Sequence, residues 1–339
     1  MSRSVFKALR IIVFLAIGLI LLYFAFRDVS FEELLTSLQK ADLKWVTFTL
    51  AFALVGYISR AYRWKLLIKP LNYDPPLKNV FYALMIGYTA NFAFPRIGEI
   101  SRCGSLKRSD KIPLDSLLGT VIIERAIDLV MLVFILIVVF FSKIGFFGAF
   151  LKNNIFEPLL NRVLQFFQLS VMNWVIFIAS VTVLIFLIRF LNRKFSENPV
   201  VEKIKELVRG VFVGLKTIVR MRDRWSFIFH TLLIWMMYFL MTYVLLFSFP
   251  ATSQLGPLDG LFLLVIGGLG MSAPVQGGIG AFHWIISAGL SLYGVSRVDA
   301  VAYATLSHES QAFFAIFLGA LSFMMLMIQK RRALKIHKK

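Results

Sequence analysis

Three charged residues lie inside the apolar segment 119–141, where a charge needs a partner or a polar cavity. Glu124 and Asp128 are four residues apart and share a face of a helix, while Arg125 is close enough to pair with Asp128. Charged side chains inside a membrane helix are costly and usually face a cavity or a partner. The spacing therefore indicates either a self-neutralised structural ion pair or the wall of a pocket for a polar headgroup.

A second group of residues surrounds a predicted helix break. It contains Asn91, Pro95, Arg96, Gly98, Glu99 and Arg102. Proline removes a backbone donor and glycine permits unusual dihedral angles, so together they end a helix. The two arginines carry planar guanidinium groups that suit phosphate oxygens, and the glutamate could orient one of them or accept a proton. The alternative is a basic anchor at the membrane edge.

Two further groups lie near the carboxyl-terminal end, in the glycine-rich break 274–280 and in the apolar segments that follow it. The predicted site residues are Gln276, Gly277, Gly278, Gly280, His283, His308 and Glu309. A glycine turn that opens a helix can present free N–H groups to an anion, although glycines in membrane helices also allow close packing. His308 could titrate near neutrality if a carboxylate supports it, and the alternative is a structural histidine.

The composition indicates what must position these residues. The chain has 339 residues, of which 59% are hydrophobic and 16% are charged, whereas a soluble domain has about 45–50% apolar and about 25% charged residues. This excess predicts an all-α integral membrane protein. The single cysteine, Cys103, excludes an intrachain disulfide and a cysteine-based zinc site. No P-loop or HExxH pattern is present, so we expect no ATP-driven transport, no metal and no cofactor.

Apolar segments predict how the chain crosses the bilayer, for which about 20 apolar residues are needed. The segments that we interpret as full spans are 11–26, 45–62, 119–141, 171–190, 226–249 and 300–328. Three shorter stretches, which each adjoin a Pro- or Gly-rich break, are 80–94, 261–273 and 281–293. Half-helices that enter the membrane and return would explain both the length and the breaks. Such backbone survives at membrane depth when it is buried in protein or lines a wet cavity.

The basic residues predict the topology. With six full spans and two re-entrant broken-helix hairpins, a cytoplasmic amino terminus puts most of the 37 Lys and Arg residues in cytoplasmic segments. Both termini are then cytoplasmic in a multi-pass inner (cell) membrane protein. The net charge of +19 thus reflects topology, and no nucleic-acid partner is expected. Residues 31–38 and 201–219 are predicted to be surface helices, or alternatively half-buried linkers.

This topology makes the two halves of the chain, about 1–142 and 170–330, inverted relative to each other. Inverted repeats whose broken helices meet near mid-membrane are a recurrent transporter design. We therefore predict one transmembrane domain over residues 1–339, built as an inverted repeat. The alternative is that 261–293 forms one ordinary kinked span, which would place the basic carboxyl-terminal tail outside.

Four short motifs follow one another along nearly the whole chain. They are Arg60-Ala61-Tyr62-Arg63-Trp64, the stretch 91–102, Glu124-Arg125-Ala126-Ile127-Asp128 and the stretch 274–280. Their order and spacing resemble the transmembrane, flippase-like region of lysylphosphatidylglycerol synthases. This resemblance implies that the domain translocates lipids between leaflets.

The sequence departs from that family at two places. His283 stands where the family often has Glu, and His308-Glu309 stands where it often has Arg. Both departures bear on the identity of the headgroup. The lysyl-transferase domain of the bifunctional members is not expected after the short basic tail, so aminoacyl transfer is not predicted.

We expect a lipid translocator that is not an enzyme. The residues predicted to hold a phosphate-containing headgroup are Arg96, Arg102 and Arg125, and those predicted to tune them are Glu99, Glu124 and Asp128. The expected partners are anionic or phosphate-containing membrane lipids, with a homo-oligomer or an envelope-biosynthesis partner also open. The alternatives are a transporter of a soluble solute, a membrane enzyme acting on a phospholipid or polyprenyl-phosphate, and a non-catalytic scaffold for envelope lipid synthesis.

Overall fold

A computed structural model describes residues 3–94, 97–143, 145, 157 and 221–336, and all regular secondary structure in them is helical. The amino-terminal helices are α1 (Arg3–Phe26), α2 (Phe31–Gln39), α3 (Leu43–Ile68), α4 (Leu77–Ala93), α5 (Gly98–Asp110) and α6 (Leu114–Ser142). The carboxyl-terminal helices are α7 (Arg224–Leu245), α8 (Pro257–Ser272), α9 (Ala281–Ser291) and α10 (Arg297–Ile336). Short 3-10 turns follow α3 and α7 and precede α9, at Lys69–Leu71, Leu246–Ser248 and Gln276–Gly278. The predicted all-α class is confirmed.

Two stretches within the described residues, Arg224–Ser248 and Arg297–Arg331, are long and apolar enough to cross a membrane. The segment Val13–Phe26 of α1 and helix α2 are together also long and apolar enough, as a pair that is bent by 75°. The helices predicted at 226–249 and 300–328 are therefore confirmed as potential spans.

Two of the predicted segments, 171–190 and 201–219, lie outside the described residues. The total of six spans accordingly stays a prediction. The short helix predicted at 31–38 is confirmed as α2. It begins at a capping box, in which Ser30 Oγ accepts a hydrogen bond from the Glu33 backbone N–H and the Glu33 carboxylate accepts one from the Ser30 backbone N–H.

The chain divides into two compact units. The first comprises residues 1–136 and 214–339, and the second comprises residues 137–213. The described part of the second unit is the last turns of α6 and a few residues beyond them. The candidate functional site belongs entirely to the first unit.

Helix α3 continues well past the apolar segment predicted at 45–62 and contributes many buried residues to the first unit. Its buried positions recur every three or four residues and include Ala53, Tyr57, Arg60, Ala61, Trp64 and Ile68. Such spacing gives a helix one buried stripe. The small residue Gly56 faces Met237 on α7, so that these two helices pack closely.

Helix α5 was not predicted, because its Lys and Arg residues fit a basic cytoplasmic segment between two spans. The helix has few apolar residues, and its buried positions are Gly98, Arg102, Cys103 and Leu106. These positions follow helical spacing, but an arginine and a glycine replace the apolar residues by which an amphipathic helix is recognised. The buried face becomes apparent only when the partner of Arg102 is known.

Both predicted helix breaks join two helices that pack against each other. At the first break, α4 and α5 approach so closely that a Cβ on Gly87 would lie 2.8 Å from the Gly98 carbonyl oxygen. The Asn91 side chain stabilises this turn by accepting a 2.8 Å hydrogen bond from the Gly98 backbone N–H. At the second break, α8 packs against α9, and α9 also packs against α10. Each predicted break thus separates two helices that pack against each other, and the re-entrant arrangement in the membrane stays a prediction.

Candidate functional site

Glu124 on α6 is the centre of a buried charge network. Its side chain is 1% exposed, and Oε1 lies 2.6 Å from Nη2 of Arg60 and 3.7 Å from Nη2 of Arg63, both on α3. The second carboxylate oxygen, Oε2, lies 2.9 Å from Nη2 of Arg102 on α5. A carboxylate withdrawn from water requires cations and hydrogen bonds that replace its hydration. Three guanidinium groups from two other helices supply that replacement.

Asp128, one helical turn further along α6, contacts two of the same arginines. Its Oδ1 accepts a 2.6 Å hydrogen bond from Arg63, and its Oδ2 accepts one of 3.3 Å from Arg60. The two acidic side chains of α6 therefore share one helix face, as their spacing predicts. Arg60 also donates to the Tyr238 hydroxyl at 2.6 Å, and Arg63 donates to Thr231 Oγ1 at 3.4 Å. The network consequently ties α3, α6 and α7 together.

The network of these arginines and carboxylates has more positive than negative charge, because three guanidinium groups face two carboxylates. Among the three arginines, Arg102 has the most guanidinium nitrogens without a hydrogen-bond partner in the described residues. Its Nη2 lies close to Glu124, but no N–H of its guanidinium makes an aligned hydrogen bond to a described residue. Its cation lies 4.5 Å from the centre of the Trp64 ring, and the Trp64 indole N–H donates to Thr120 at 2.9 Å. A buried excess of positive charge favours an anion as the nearby ligand.

Arg125 makes a separate ion pair. Its Nη2 lies 2.9 Å from Oε1 of Glu99 on α5, and the two side chains are 46% and 27% exposed. The sequence spacing allows Arg125 to pair with Asp128, but the structure gives these residues different partners, because the arginines of α3 hold Asp128. The Arg125–Glu99 pair is therefore far more accessible than the buried network.

A cavity of 780 Å³ adjoins both sets of charges. Its charged lining residues are Arg60, Glu99, Arg125 and Asp128. Its uncharged polar lining includes Tyr57, Tyr88, Asn91, Tyr238, Thr242, Tyr303, Ser307, His308 and Gln311. Apolar side chains, among them Leu129, Leu132 and Phe282, also line it. A mainly apolar cavity with a few polar groups is typical of a ligand site, and guanidinium groups in its wall favour an anionic ligand.

Residues at both helix breaks lie in the wall of this cavity. Asn91 and Phe92 at the end of α4 line the cavity, as do Gly277 and Gly278 of the second break. Gly277 has a φ of +56° and packs against the Phe92 ring, so a side chain there would be both strained and obstructed. The Gly277 carbonyl oxygen accepts a 2.8 Å hydrogen bond from Nε2 of His308 on α10.

The predicted site residues fall into three groups. Those in the cavity wall are Asn91, Glu99, Arg125, Asp128, Gly277, Gly278 and His308. Those outside the cavity lining are Gly98, Arg102, Glu124, Gln276, Gly280, His283 and Glu309. Pro95 and Arg96 lie outside the described residues. Residues of the first group line the cavity, whereas Arg102 and Glu124 lie behind its wall in the charge network.

Two arginines of the network, Arg60 and Arg63, were not among the predicted site residues. In the predicted topology they lie at or just beyond the end of the span 45–62 and belong to the cytoplasmic positive charge. In the structure α3 continues beyond them, and they are only 6% and 0% exposed. The motif 60–64 indicates that the two arginines, three residues apart, lie on one helix face, but this spacing does not show that the face is buried.

Comparison with known proteins connects these features to a family. The sequence model of the family described as lysylphosphatidylglycerol synthase TM region matches residues 11–319. The chain belongs to this family. Family membership and the apolar helices together identify a membrane protein, and the predicted resemblance is confirmed.

The matched residues of the lysylphosphatidylglycerol synthase TM family contain the whole charge network, both helix breaks and the cavity lining. A similar curated protein is a UPF0104 membrane protein of Methanocaldococcus jannaschii. It is 22% identical over 284 residues, which cover 79% of this chain and 82% of the relative. No solved structure matches the chain.

Proposed function

We propose that this family member moves a phosphate-containing lipid headgroup between the two leaflets of its membrane. The observation that carries the proposal is the accessible Arg125–Glu99 pair in the wall of a cavity that adjoins a buried, positively charged network. The acyl chains would stay in the bilayer while the headgroup crosses through the cavity.

Arg125 is the first contact that we assign to the phosphate. A guanidinium group can donate two parallel hydrogen bonds to phosphate oxygens, and that of Arg125 is nearly half exposed. Its ion pair with Glu99 keeps it oriented when no headgroup is bound. An incoming phosphate would compete with the Glu99 carboxylate for the same cation.

Arg60 is the second contact that we assign. It lines the cavity, but Glu124, Asp128 and the Tyr238 hydroxyl already hold its two terminal nitrogens, Nη1 and Nη2. Its role would therefore be to supply a positive potential from a fixed position, and its side chain would not move with the headgroup. Arg102 would act in the same way from outside the cavity lining, which revises its predicted role as a direct phosphate ligand.

We further propose that the hairpins α4–α5 and α8–α9 are re-entrant and enter from opposite faces of the inner membrane. Six full spans, an inverted repeat and two cytoplasmic termini belong to the same proposal. It is supported by the meeting of the two breaks at one cavity and by the distribution of Lys and Arg along the chain. Labelling of single cysteines from either side, in a Cys103→Ser background, tests this arrangement.

The proposal assigns transport rather than catalysis to this cavity. The acidic groups best placed to act as a general base are Glu99 and Asp128, and each of them is held in an ion pair with arginine. The partners that we propose are anionic or phosphate-containing membrane lipids.

Leaflet-resolved lipid movement tests the proposal. The purified chain is reconstituted into vesicles that contain a fluorescent phosphatidylglycerol, and a membrane-impermeant quencher then reports the fraction in the outer leaflet. We expect the intact chain to make the inner-leaflet lipid accessible, and Arg125→Ala to slow this movement at least about tenfold, because the accessible cation is lost.

The matched control is Lys69→Ala, which breaks an ion pair of similar exposure with Asp223 outside the cavity. It should move lipid at the rate of the unaltered chain. Equal rates for the intact chain and for protein-free vesicles would contradict lipid transport. Equal rates for Arg125→Ala and the intact chain would contradict the assigned phosphate contact.

A further inference from the structure

His283, His308 and Glu309 form a compact cluster of potential metal ligands where α9, α10 and the second break meet. One donor atom of each residue lies within 4.8 Å of those of the other two. Oε1 of Glu309 lies 2.9 Å from Nδ1 of His308 and 3.6 Å from Nε2 of His283. Three donor atoms thus converge on one small volume.

The hydrogen bonds of His308 define which of its ring nitrogens can bind a cation. The Gly277 carbonyl oxygen lies 2.8 Å from Nε2 and can only accept, so Nε2 carries the hydrogen. In the neutral imidazole, Nδ1 then has a lone pair, and it lies 2.9 Å from a carboxylate oxygen of Glu309. Two acceptors at this distance require a cation between them.

His283 decides which kind of cation fits the cluster best. A proton shared by His308 and Glu309 would leave the second histidine unused. Its Nε2 faces the same oxygen of Glu309, while its Nδ1 has no hydrogen-bond partner among the described residues. A metal ion, in contrast, would use all three donor atoms at once.

We propose that His283, His308 and Glu309 bind a divalent metal ion of the zinc type. Two imidazoles and one carboxylate are ligands that zinc prefers, and a water or another ligand would complete a tetrahedral site. Bonds of about 2.0–2.2 Å place neighbouring ligands about 3.3 Å apart, so binding would draw the widest separation together. The hydrogen bond from His308 Nε2 to a backbone carbonyl is the outer contact that typically orients a metal-bound histidine.

The surroundings of the cluster suit a bound ion. The two histidine side chains are 2% and 3% exposed, and the rings of Phe26, Phe92 and Phe282 lie beside them. Glu309 is 39% exposed, so the ion would enter the site at this residue. The bound ion would clamp α9 to α10 and, through the Gly277 carbonyl, would hold the second break in the cavity wall.

A metal ion at this cluster differs from the expectation of no metal, which was based on linear sequence motifs. The two histidines are 25 residues apart and lie on different helices, so no short pattern contains them. Only the hairpin at the second break brings them together. The inference is independent of the proposed lipid transport, because it concerns binding of an ion and not movement of a headgroup.

Metal content of the full chain tests the inference. The protein is purified through a tag without histidines, incubated with zinc chloride and passed over a desalting column, and retained zinc is measured by mass spectrometry. We expect about one zinc ion per chain and an affinity loss of about tenfold or more in His283→Ala, His308→Ala and Glu309→Gln. The matched control replaces the other two histidines, His230 and His337, with alanine and should retain the ion.

A second measurement requires no variant. X-ray absorption by the zinc-loaded intact chain should show two imidazole ligands and light oxygen donors at about 2.0–2.2 Å. A chain that retains no zinc would overturn the inference. So would a spectrum without imidazole ligands, or equal zinc affinity in the control and in all three cluster variants.

Discussion

Nη2 of Arg63 and Oδ1 of Asp128 lie 2.6 Å apart, which joins α3 to α6 in the interior of the protein. The arginine side chain is 0% exposed, whereas Asp128 is 16% exposed and also lines the cavity. Asp128 therefore belongs both to the buried network and to the cavity wall. A change of charge in the cavity would therefore act through Asp128 on the network, whose residues and hydrogen-bond partners lie on α3, α5, α6 and α7.

The stability of the first unit should depend strongly on Glu124. In Glu124→Gln, the buried Arg102 would lose its carboxylate neighbour, and the arginines of α3 would keep only Asp128. Removal of one partner of a buried ion pair typically costs about 3–5 kcal/mol. We expect the free energy of unfolding, measured by titration with a denaturing detergent, to fall by that amount. The control on the same helix is the exposed Asp115→Asn, which should cost about 1 kcal/mol or less. An unchanged unfolding midpoint in Glu124→Gln would contradict the role of the network.

Replacing Glu99 should strengthen the binding of an anionic headgroup. Glu99→Gln removes the carboxylate that competes for Arg125, and a partly exposed ion pair is worth about 0.2–1 kcal/mol. We therefore expect phosphatidylglycerol to bind about 1.4- to fivefold more tightly, as measured by lipid titration in native mass spectrometry. A zwitterionic lipid serves as the control ligand and should gain less. Weaker binding of phosphatidylglycerol to this variant would show that Glu99 is not a competitor of the headgroup.

The second break should tolerate no side chain at Gly277. Its φ of +56° costs an L-residue about 1–2 kcal/mol, and a Cβ there would collide with the Phe92 ring. Gly277→Ala should therefore lower the thermal stability and disturb the cavity wall. The same substitution at Gly104, a helical position of α5 with no atom within 4 Å of a new Cβ, should raise stability by up to about 1 kcal/mol. Equal melting temperatures for the two variants would contradict this account of the turn.

The acidic part of the site could be predicted from the sequence because its chemistry is local. Glu124 and Asp128 interrupt an apolar segment and share a helix face, so both the need for partners and their common direction follow from spacing. The two helix breaks were predictable for a similar reason, since proline and glycine clusters interrupt apolar stretches that are too short to span.

The basic part of the site could not be predicted in the same way. Arginines near the end of an apolar segment resemble the positive charges that anchor a span, and only the continuation of α3 shows that Arg60 and Arg63 are buried. The partner of Arg125 lies 26 residues earlier in the chain, and its position depends on the hairpin between α4 and α5. Contacts of this kind depend on the tertiary fold, about which the sequence pattern carries no direct signal.

The most direct test of lipid passage through this cavity is to find where a lipid headgroup lies. Phosphatidylglycerol with a photoreactive group on its headgroup is incorporated into vesicles with the intact chain, irradiated and mapped by peptide mass spectrometry. The account predicts adducts on cavity residues such as Met241, Met271 and Gln311, and their loss in Arg125→Ala. Adducts confined to exposed surface positions outside the cavity, such as Phe323 and Met324, and unchanged in that variant, would contradict it.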